Sequence, residues 1–304
     1  MNSTTQNRAN PKVPSLMPAI FVGHGSPMNA INNSPAAKKW QELSKIVPQP
    51  KAIIAISGHW ATRGLWIRRD AQNPHINDMY GFPKALYEIP YAPVGSIEIT
   101  DHVIDTVGSD FIKPTTEWGI DHGVWSVLMH LYPQADIPVI ILSVDMADTP
   151  EKMFELGRRL RPLRNEGYLI FGSGNIVHNL REVTDNDTAY NWALTFDQAV
   201  TNAVIAKKYD QVIHYTDFPY ANRAVPTADH FLPLPTILGA TYDDETAQVW
   251  NHYGELGSIT MTSFAFDGTQ SQLAQEQQAD NEDVLAASKR LIDKNRKAYE
   301  VLAK

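Results

Sequence analysis

Three short apolar runs in this chain each end in glycine and deliver a histidine. Residues 18–22 lead into Gly23-His24-Gly25-Ser26, and residues 52–56 lead into Ser57-Gly58-His59-Trp60. Residues 168–171 lead into Gly172-Ser173-Gly174-Asn175 and then His178. Neutral imidazole is the commonest nitrogen ligand for Zn, Fe, Cu and Ni, and its proton exchanges near neutral pH. A set of histidines at such positions could therefore hold a metal ion or move protons. His24 and His59 are the first candidates for ligands. His230 joins them because it lies in a proline-stiffened stretch, residues 226–233, that could fold back over the same edge. His122, in Asp121-His122-Gly123, could serve as a ligand or as an acid–base group. His75, His102, His130, His214 and His252 lack such a setting, and we assign them to surface or packing.

The elements that must position these residues follow from the pattern of apolar residues. Continuous apolar runs near residues 19–22, 52–56, 138–145 and 168–171 are expected of strands buried on both faces. Each glycine is expected to make a sharp turn at the strand end, with the histidine just beyond. Helical segments are expected near residues 35–45, 95–107 and 191–208, in a stretch that leads from a loop over 115–125 into a helix to about Leu131, and from Thr149 to about Leu163 with Thr149 as N-cap and Pro150 at the first position. Residues 63–93 lack periodicity and read as a long loop of the kind that usually carries function. Residues 215–235 read as irregular, and residues 258–266 as a terminal strand. Strands alternating with helices imply an α/β fold, a single three-layer domain with a largely parallel or mixed central sheet and helices on both faces. The crevice beyond the carboxyl ends of parallel strands is where such sheets bind ligands.

Composition narrows the chemistry. The chain has 304 residues, a net charge of -8 and no cysteine. The acidic balance argues against general nucleic-acid binding. The absence of cysteine removes disulfides, thiolate metal sites and thiol nucleophiles. No apolar run is long enough to span a bilayer, and the polar first residues lack a secretory core, so a cytoplasmic protein without membrane association is expected. The Gly172-Ser173-Gly174 stretch fails as a dinucleotide fingerprint because Val177 stands where the third glycine belongs. There is no nucleophile elbow, no Walker loop and no H-E-x-x-H. We divide the chain into a polar leader (1–16), a catalytic domain (17–267) and a charged helical extension (268–304). An apolar stripe in that extension suits packing on the body or on a second copy of the chain, giving a homo-oligomer.

The segments GHGSPMNA, SGHWATRG, YGFPKALYEIPYAP, EWGIDHGVWSVLMHLYP, FGSGNIVHNL and PTADHFLPL occur in this order between residues 17 and 266. Together they resemble the 4,5-DOPA extradiol dioxygenase family, of the class III ring-cleavage type. The resemblance implies one mononuclear divalent metal per chain, Fe(II) for activity, with Zn(II) able to occupy the same nitrogens. It implies His24, His59 and His230 as metal ligands, His178 as catalytic base or a further ligand, and His122 as a second acid–base group. The partners it implies are a small catecholic substrate, such as L-DOPA, and O2, the product being a ring-opened semialdehyde. Trp60 and Tyr80 are the residues we would place against the substrate ring, with Trp118 and Trp125 as readily explained by core packing. Two other readings compete: a zinc-dependent hydrolase on the same scaffold, and a non-catalytic binding protein for metal or small aromatics.

Overall fold

In a computed structural model of the chain, residues 16–267 are described; the helical extension expected beyond residue 267, and most of the leader, lie outside them. Among the described residues ten strands run in chain order: β1 Ala19–Gly23, β2 Ala52–Thr62, β3 Trp66–Arg68, β4 Lys113–Thr115, β5 Val139–Asp145, β6 Tyr168–Gly174, β7 Gln248–Trp250, β8 Gly254–Glu255, β9 Ile259–Thr260 and β10 Ser263–Phe266. The helices are α1 Pro35–Leu43, α2 Lys84–Tyr87, α3 Ile97–Val107, α4 His122–Leu131, α5 Pro150–Leu160, α6 Asn191–Ile205, α7 Tyr209–Ile213, α8 Ala221–Ala224 and α9 Pro233–Gly239.

Eight strands form one mixed sheet in the order β4-β3-β5-β2-β6-β1-β10-β7. Its centre, β5-β2-β6-β1, is parallel, with Ile54 opposite Ile140 and Ile170, and Phe21 opposite Gly172. β3 runs antiparallel to β5, and β10 antiparallel to β1. The central strands read as unbroken apolar runs because both faces are covered. Ile54, Ile56, Ile140 and Ile170 pack with α3, α5, α6 and α9 in one core, whereas Ile53, Ala55, Ile141 and Phe171 pack with α1 and α4 in the other. Successive residues of one strand thus feed opposite cores, as a two-residue period requires, and three layers result.

Local chemistry sets several boundaries. Pro35 opens α1 at a position where its missing N–H costs nothing, and the Ser34 hydroxyl accepts from Ala37 N–H at 3.1 Å. Thr149 sits at the N-cap of α5 with Pro150 behind it, but its side chain makes no capping bond. Residues 215–235, read as irregular, contain α8 and the start of α9. The single terminal strand expected over 258–266 is divided at Met261-Thr262, β9 pairing with β8 while β10 enters the main sheet.

The glycine turns require the larger correction. β2 does not end at Ile56 but continues through Gly58 and His59 to Thr62, with a register shift against β5 between Ile56 and Ala61. β6 likewise includes Gly172-Ser173-Gly174. At both ends glycine serves close approach of another segment. A Cβ on Gly58 would lie 3.0 Å from the Asp229 carbonyl oxygen, and one on Gly174 would lie 2.0 Å from that of His230. The absent side chains let the 226–233 segment lie directly on the carboxyl ends of β2 and β6.

One buried residue ties this body together. The Arg164 guanidinium donates to the carbonyls of Met17 (2.7 Å), Ala240 (2.7 Å) and Phe266 (3.0 Å) and pairs with Glu245. Both members of the pair are fully buried.

Candidate metal centre and active site

Five histidines, His24, His59, His122, His178 and His230, line one cavity of about 740 Å³ at the carboxyl ends of β1, β2 and β6. The sheet order puts these three strands side by side, so residues far apart in sequence arrive together. His24 is the first residue beyond β1, and His59 lies in the bulged end of β2. His178 follows β6 in a turn whose N–H donates to Ala224 O at 3.0 Å. His230 is held over the sheet by Asn175 N–H donating to its carbonyl at 2.9 Å. His122 opens α4, capped by Asp121, whose Oδ1 accepts from Val124 N–H.

Three of these rings, His24, His59 and His230, are placed through Nδ1, which defines what the other nitrogen can do. His24 Nδ1 lies 2.9 Å from Ser173 Oγ, and that hydroxyl donates to Gly123 O at 2.5 Å. With its proton committed to Gly123, Ser173 can only accept from His24, so Nδ1 carries the hydrogen and Nε2 a free lone pair. His59 Nδ1 lies 3.0 Å from Asp78 Oδ2, turning its Nε2 inward. His230 Nδ1 lies 2.6 Å from Asp229 Oδ2, leaving its Nε2 buried with no partner. A hydrogen-bond acceptor behind the imidazole, most often a carboxylate, backbone carbonyl or water, is the usual support of a metal-ligating histidine.

The Nε2 atoms of His24 and His59 are 3.1 Å apart. Two lone pairs facing each other at that distance repel unless a proton or cation lies between them. Two nitrogens bound to one ion at about 2.0–2.1 Å, with an angle of roughly 90–110°, stand about 2.8–3.4 Å apart, so the residues present fit a metal. Ligand nitrogens of His24, His59 and His122 all lie within 4.8 Å of one another. The His230 ring centre is 4.7 Å from that of His59 and 5.3 Å from that of His24. The rings of His178 and His230 stack at 3.5 Å, and those of His59 and His122 approach to 4.0 Å. Gly123 makes room for this crowding, since a Cβ there would lie 2.8 Å from the His59 ring.

Burial dominates the electrostatics. It drives His24 and His178 well below the usual histidine range, and neighbouring imidazoles push the same way. His230 falls to about 4, burial outweighing the support of Asp229. His59 moves upward instead, because Asp78 and Asp121 more than offset its burial. Burial alone would raise Asp78, but its contacts with His122 and His59 hold its carboxyl far below the normal range. Asp121, fully buried, is pushed up by burial although Trp118 Nε1 and Ser57 Oγ both donate to it.

Sequence reasoning missed most of these supports. Asp78 touches two site rings: its Oδ1 lies 3.0 Å from His122 Nδ1, its Oδ2 faces His59, and it also accepts from the His122 backbone N–H at 2.9 Å. It comes from the long unpatterned loop, which is zipped to the segment before α4 by Ile76 N–H to Ile120 O and Ile120 N–H to Pro74 O, both 2.9 Å. Only the adjacency of Asp229 and His230 was a signal in the sequence, and that signal is unreliable: Asp121, equally adjacent to His122, faces Ser57 and Trp118 instead. Ser57 lies in the strand, its Oγ accepting from the His59 N–H at 3.1 Å. Tyr80 borders the cavity and is 92% exposed. Trp60 is buried in the core, parallel to Trp118 at 6.4 Å, and does not line the cavity. His75 stacks on Trp125 away from the cavity, and among the described residues no helix is long and apolar enough to cross a membrane.

Imidazoles oriented through their outer nitrogens, converging at the carboxyl edge of an α/β sheet, define the site of a metal-using enzyme. The comparisons specify which one. The family model for the catalytic LigB subunit of aromatic ring-opening dioxygenase matches residues 17–266. The chain is 38% identical to the 4,5-DOPA dioxygenase extradiol of Escherichia coli K12, over 81% of this chain and 93% of that protein. It is 36% identical to that of Beta vulgaris, over 84% and 98%. A crystal structure of an uncharacterized protein from Escherichia coli K12 superposes with a TM-score of 0.71 at 34% identity, covering 82% of this chain and 99% of that one. The chain belongs to the LigB family and is an extradiol dioxygenase.

Proposed function

We propose that the enzyme opens a catechol ring with O2 beside its two hydroxyls, using one divalent metal, with L-DOPA or a related catecholic acid or amine as substrate. The observation that carries this reading is the set of three imidazoles, His24, His59 and His230, each held through Nδ1 by Ser173, Asp78 or Asp229 so that Nε2 is free. These three would hold the metal. When bound, Fe(II) supplies the redox capacity and the open positions at which a catechol and O2 can meet, a capacity Zn(II) lacks.

The remaining steps fall to the chain. His178, neutral at pH 7 because of its burial, can accept a catechol hydroxyl proton at an imidazole nitrogen. It stacks on His230, which fixes its distance from the ligand set. His122 stands on the opposite flank against His59, its Nδ1 3.0 Å from Asp78 and its backbone N–H bonded to the same carboxylate, and is placed to return a proton to an oxygen as the ring opens. Tyr80, with Met79 and Phe82, offers an apolar and aromatic wall to the substrate ring. The hydrolase alternative lacks a free carboxylate base: the carboxylates lining the cavity, Asp78 and Asp229, are both engaged with histidines.

The test is to load the protein anaerobically with Fe(II), admit oxygen, and follow uptake and a yellow semialdehyde with L-DOPA and simple catechols. Absence of uptake across a broad catechol panel, from folded and iron-loaded protein, overturns the proposal.

A further inference from the structure

Apart from its histidines, the cavity is lined by three charged side chains: Asp78, Asp229 and Arg181. Both aspartates are committed to imidazoles. The Arg181 backbone N–H donates to Asn179 Oδ1 at 3.1 Å, and among the described residues its guanidinium has no ion-pair partner. The neighbouring Glu182, which could have neutralised it, is engaged by Arg223, whose Nε lies 2.8 Å from Oε1. The turn that presents Arg181 is fixed from several sides. Asn179 Nδ2 donates to Arg223 O at 2.8 Å, and Ser258 Oγ donates to Asn179 O at 2.7 Å. Among the described residues Arg181 is therefore an exposed cation without a counter-charge, on a rigid mount three residues beyond His178 and on the same cavity wall.

We infer that Arg181 is the specificity-determining residue that pairs with an anionic group on the substrate's side chain, so that the preferred substrates are catechols carrying a carboxylate. This rests on the dioxygenase reading for the catechol end and adds the recognition of the other end. A guanidinium offers a planar fork that matches a carboxylate, and such charge-assisted bonds are stronger than neutral ones. The whole chain carries a net charge of -8, so the general field works against an anion. A local, unneutralised arginine at the cavity is what reverses that preference. The cavity wall beyond the metal ligands is otherwise mostly apolar, with Met79, Phe82, Leu180, Val183 and Leu256, which suits the ring and methylene carbons.

The test compares 3,4-dihydroxyphenylpropionate with 4-methylcatechol, which share the catechol and differ in the anion. Binding is measured by calorimetry on zinc-loaded protein, where no redox turnover intervenes. The expected result is that wild type binds the carboxylate at least about tenfold more tightly. Arg181→Gln should abolish that gap while leaving 4-methylcatechol affinity within about twofold, and Arg181→Lys should retain part of it. Raising the salt should narrow the wild-type gap. Equal binding of the two ligands by wild type, or equal weakening of both by Arg181→Gln, overturns the inference. The unchanged affinity for 4-methylcatechol also reports that the variant is folded. Failure of iron-loaded enzyme to consume oxygen would overturn the dioxygenase reading instead, and the binding comparison would still decide the role of Arg181.

Discussion

Replacing Gly174 by alanine tests whether glycine at the strand ends exists to admit the His230 segment. The new Cβ would stand 2.0 Å from the His230 carbonyl oxygen and 3.0 Å from its carbonyl carbon, against about 3.4 Å for ordinary contact. Both contacts are backbone, so no rotamer change relieves them, and His230 must retreat by about 1.4 Å. That retreat also breaks the 2.9 Å bond from Asn175 N–H to the same oxygen. Overpacking of this kind costs about 1–3 kcal/mol of stability, and a displacement of about 1 Å at a reacting centre costs on the order of a hundredfold in rate. Gly58→Ala is the graded control. Its Cβ would meet Asp229 O at 3.0 Å and His230 Cα at 3.1 Å, a shift of only a few tenths of an ångström. We expect Gly174→Ala to fold with reduced stability, to bind iron or zinc at least about tenfold more weakly in a chelator competition, and to lose about two orders of magnitude in kcat/KM. Gly58→Ala should lose severalfold in each. Wild-type metal affinity and turnover in Gly174→Ala, or a larger loss in Gly58→Ala, would refute the close-approach account.

Asp229→Asn should weaken metal binding by about 10- to 100-fold in the same competition, because His230 loses the carboxylate behind Nδ1. Arg164→Met leaves Glu245 as an unpaired buried charge and frees the three carbonyls, so urea unfolding should show a loss of about 3–5 kcal/mol. In metal-free protein, the folded state holds His24, His178 and His230 below their unfolded pKa, so the unfolded chain binds more protons below about pH 6.5. Stability should therefore fall as pH drops from 7 to 4, roughly 3 kcal/mol of it from His230 alone, with His59 opposing in part because its pKa is raised. A flat urea midpoint across that range, or an unchanged fall in His230→Gln, would contradict this.

The residues explain what could be read ahead of the structure. The runs at Ala19, Ala52, Val139 and Tyr168 were legible as buried strands because both their faces meet apolar layers, which leaves an unbroken hydrophobic signature. Of the histidines that line the cavity, His24, His59 and His178 stood out because each follows such a run, and His230 because it sits among prolines, whereas His122 had only its Asp121 and Gly123 neighbours to mark it. The purpose of Gly58 and Gly174 was hidden, since a turn and a close approach demand the same residue and the approaching segment lies 56 or more positions away. Asp78 was hidden for a related reason: its loop has no period, and its partners His59 and His122 come from a strand end and a helix start. Trp60 sits next to His59 in sequence, yet neighbouring strand residues point to opposite faces, and it enters the core with Trp118. Arg181 carried no pattern at all; its interest arises from Glu182 being taken by Arg223.

Arg164 also determines what kind of object this domain is. The same guanidinium grips the carbonyls of Met17, two residues before β1, and of Phe266, the last residue of β10, in the antiparallel pair where Ala19 stands opposite Phe266. Where the domain's chain enters and where it leaves are therefore one place. Topologically the body is a loop with a small gap, and the gap can be bridged by a few residues. A circularly permuted chain, joined across that gap and reopened at an exposed surface turn far from the histidines, would retain every strand pairing of the sheet.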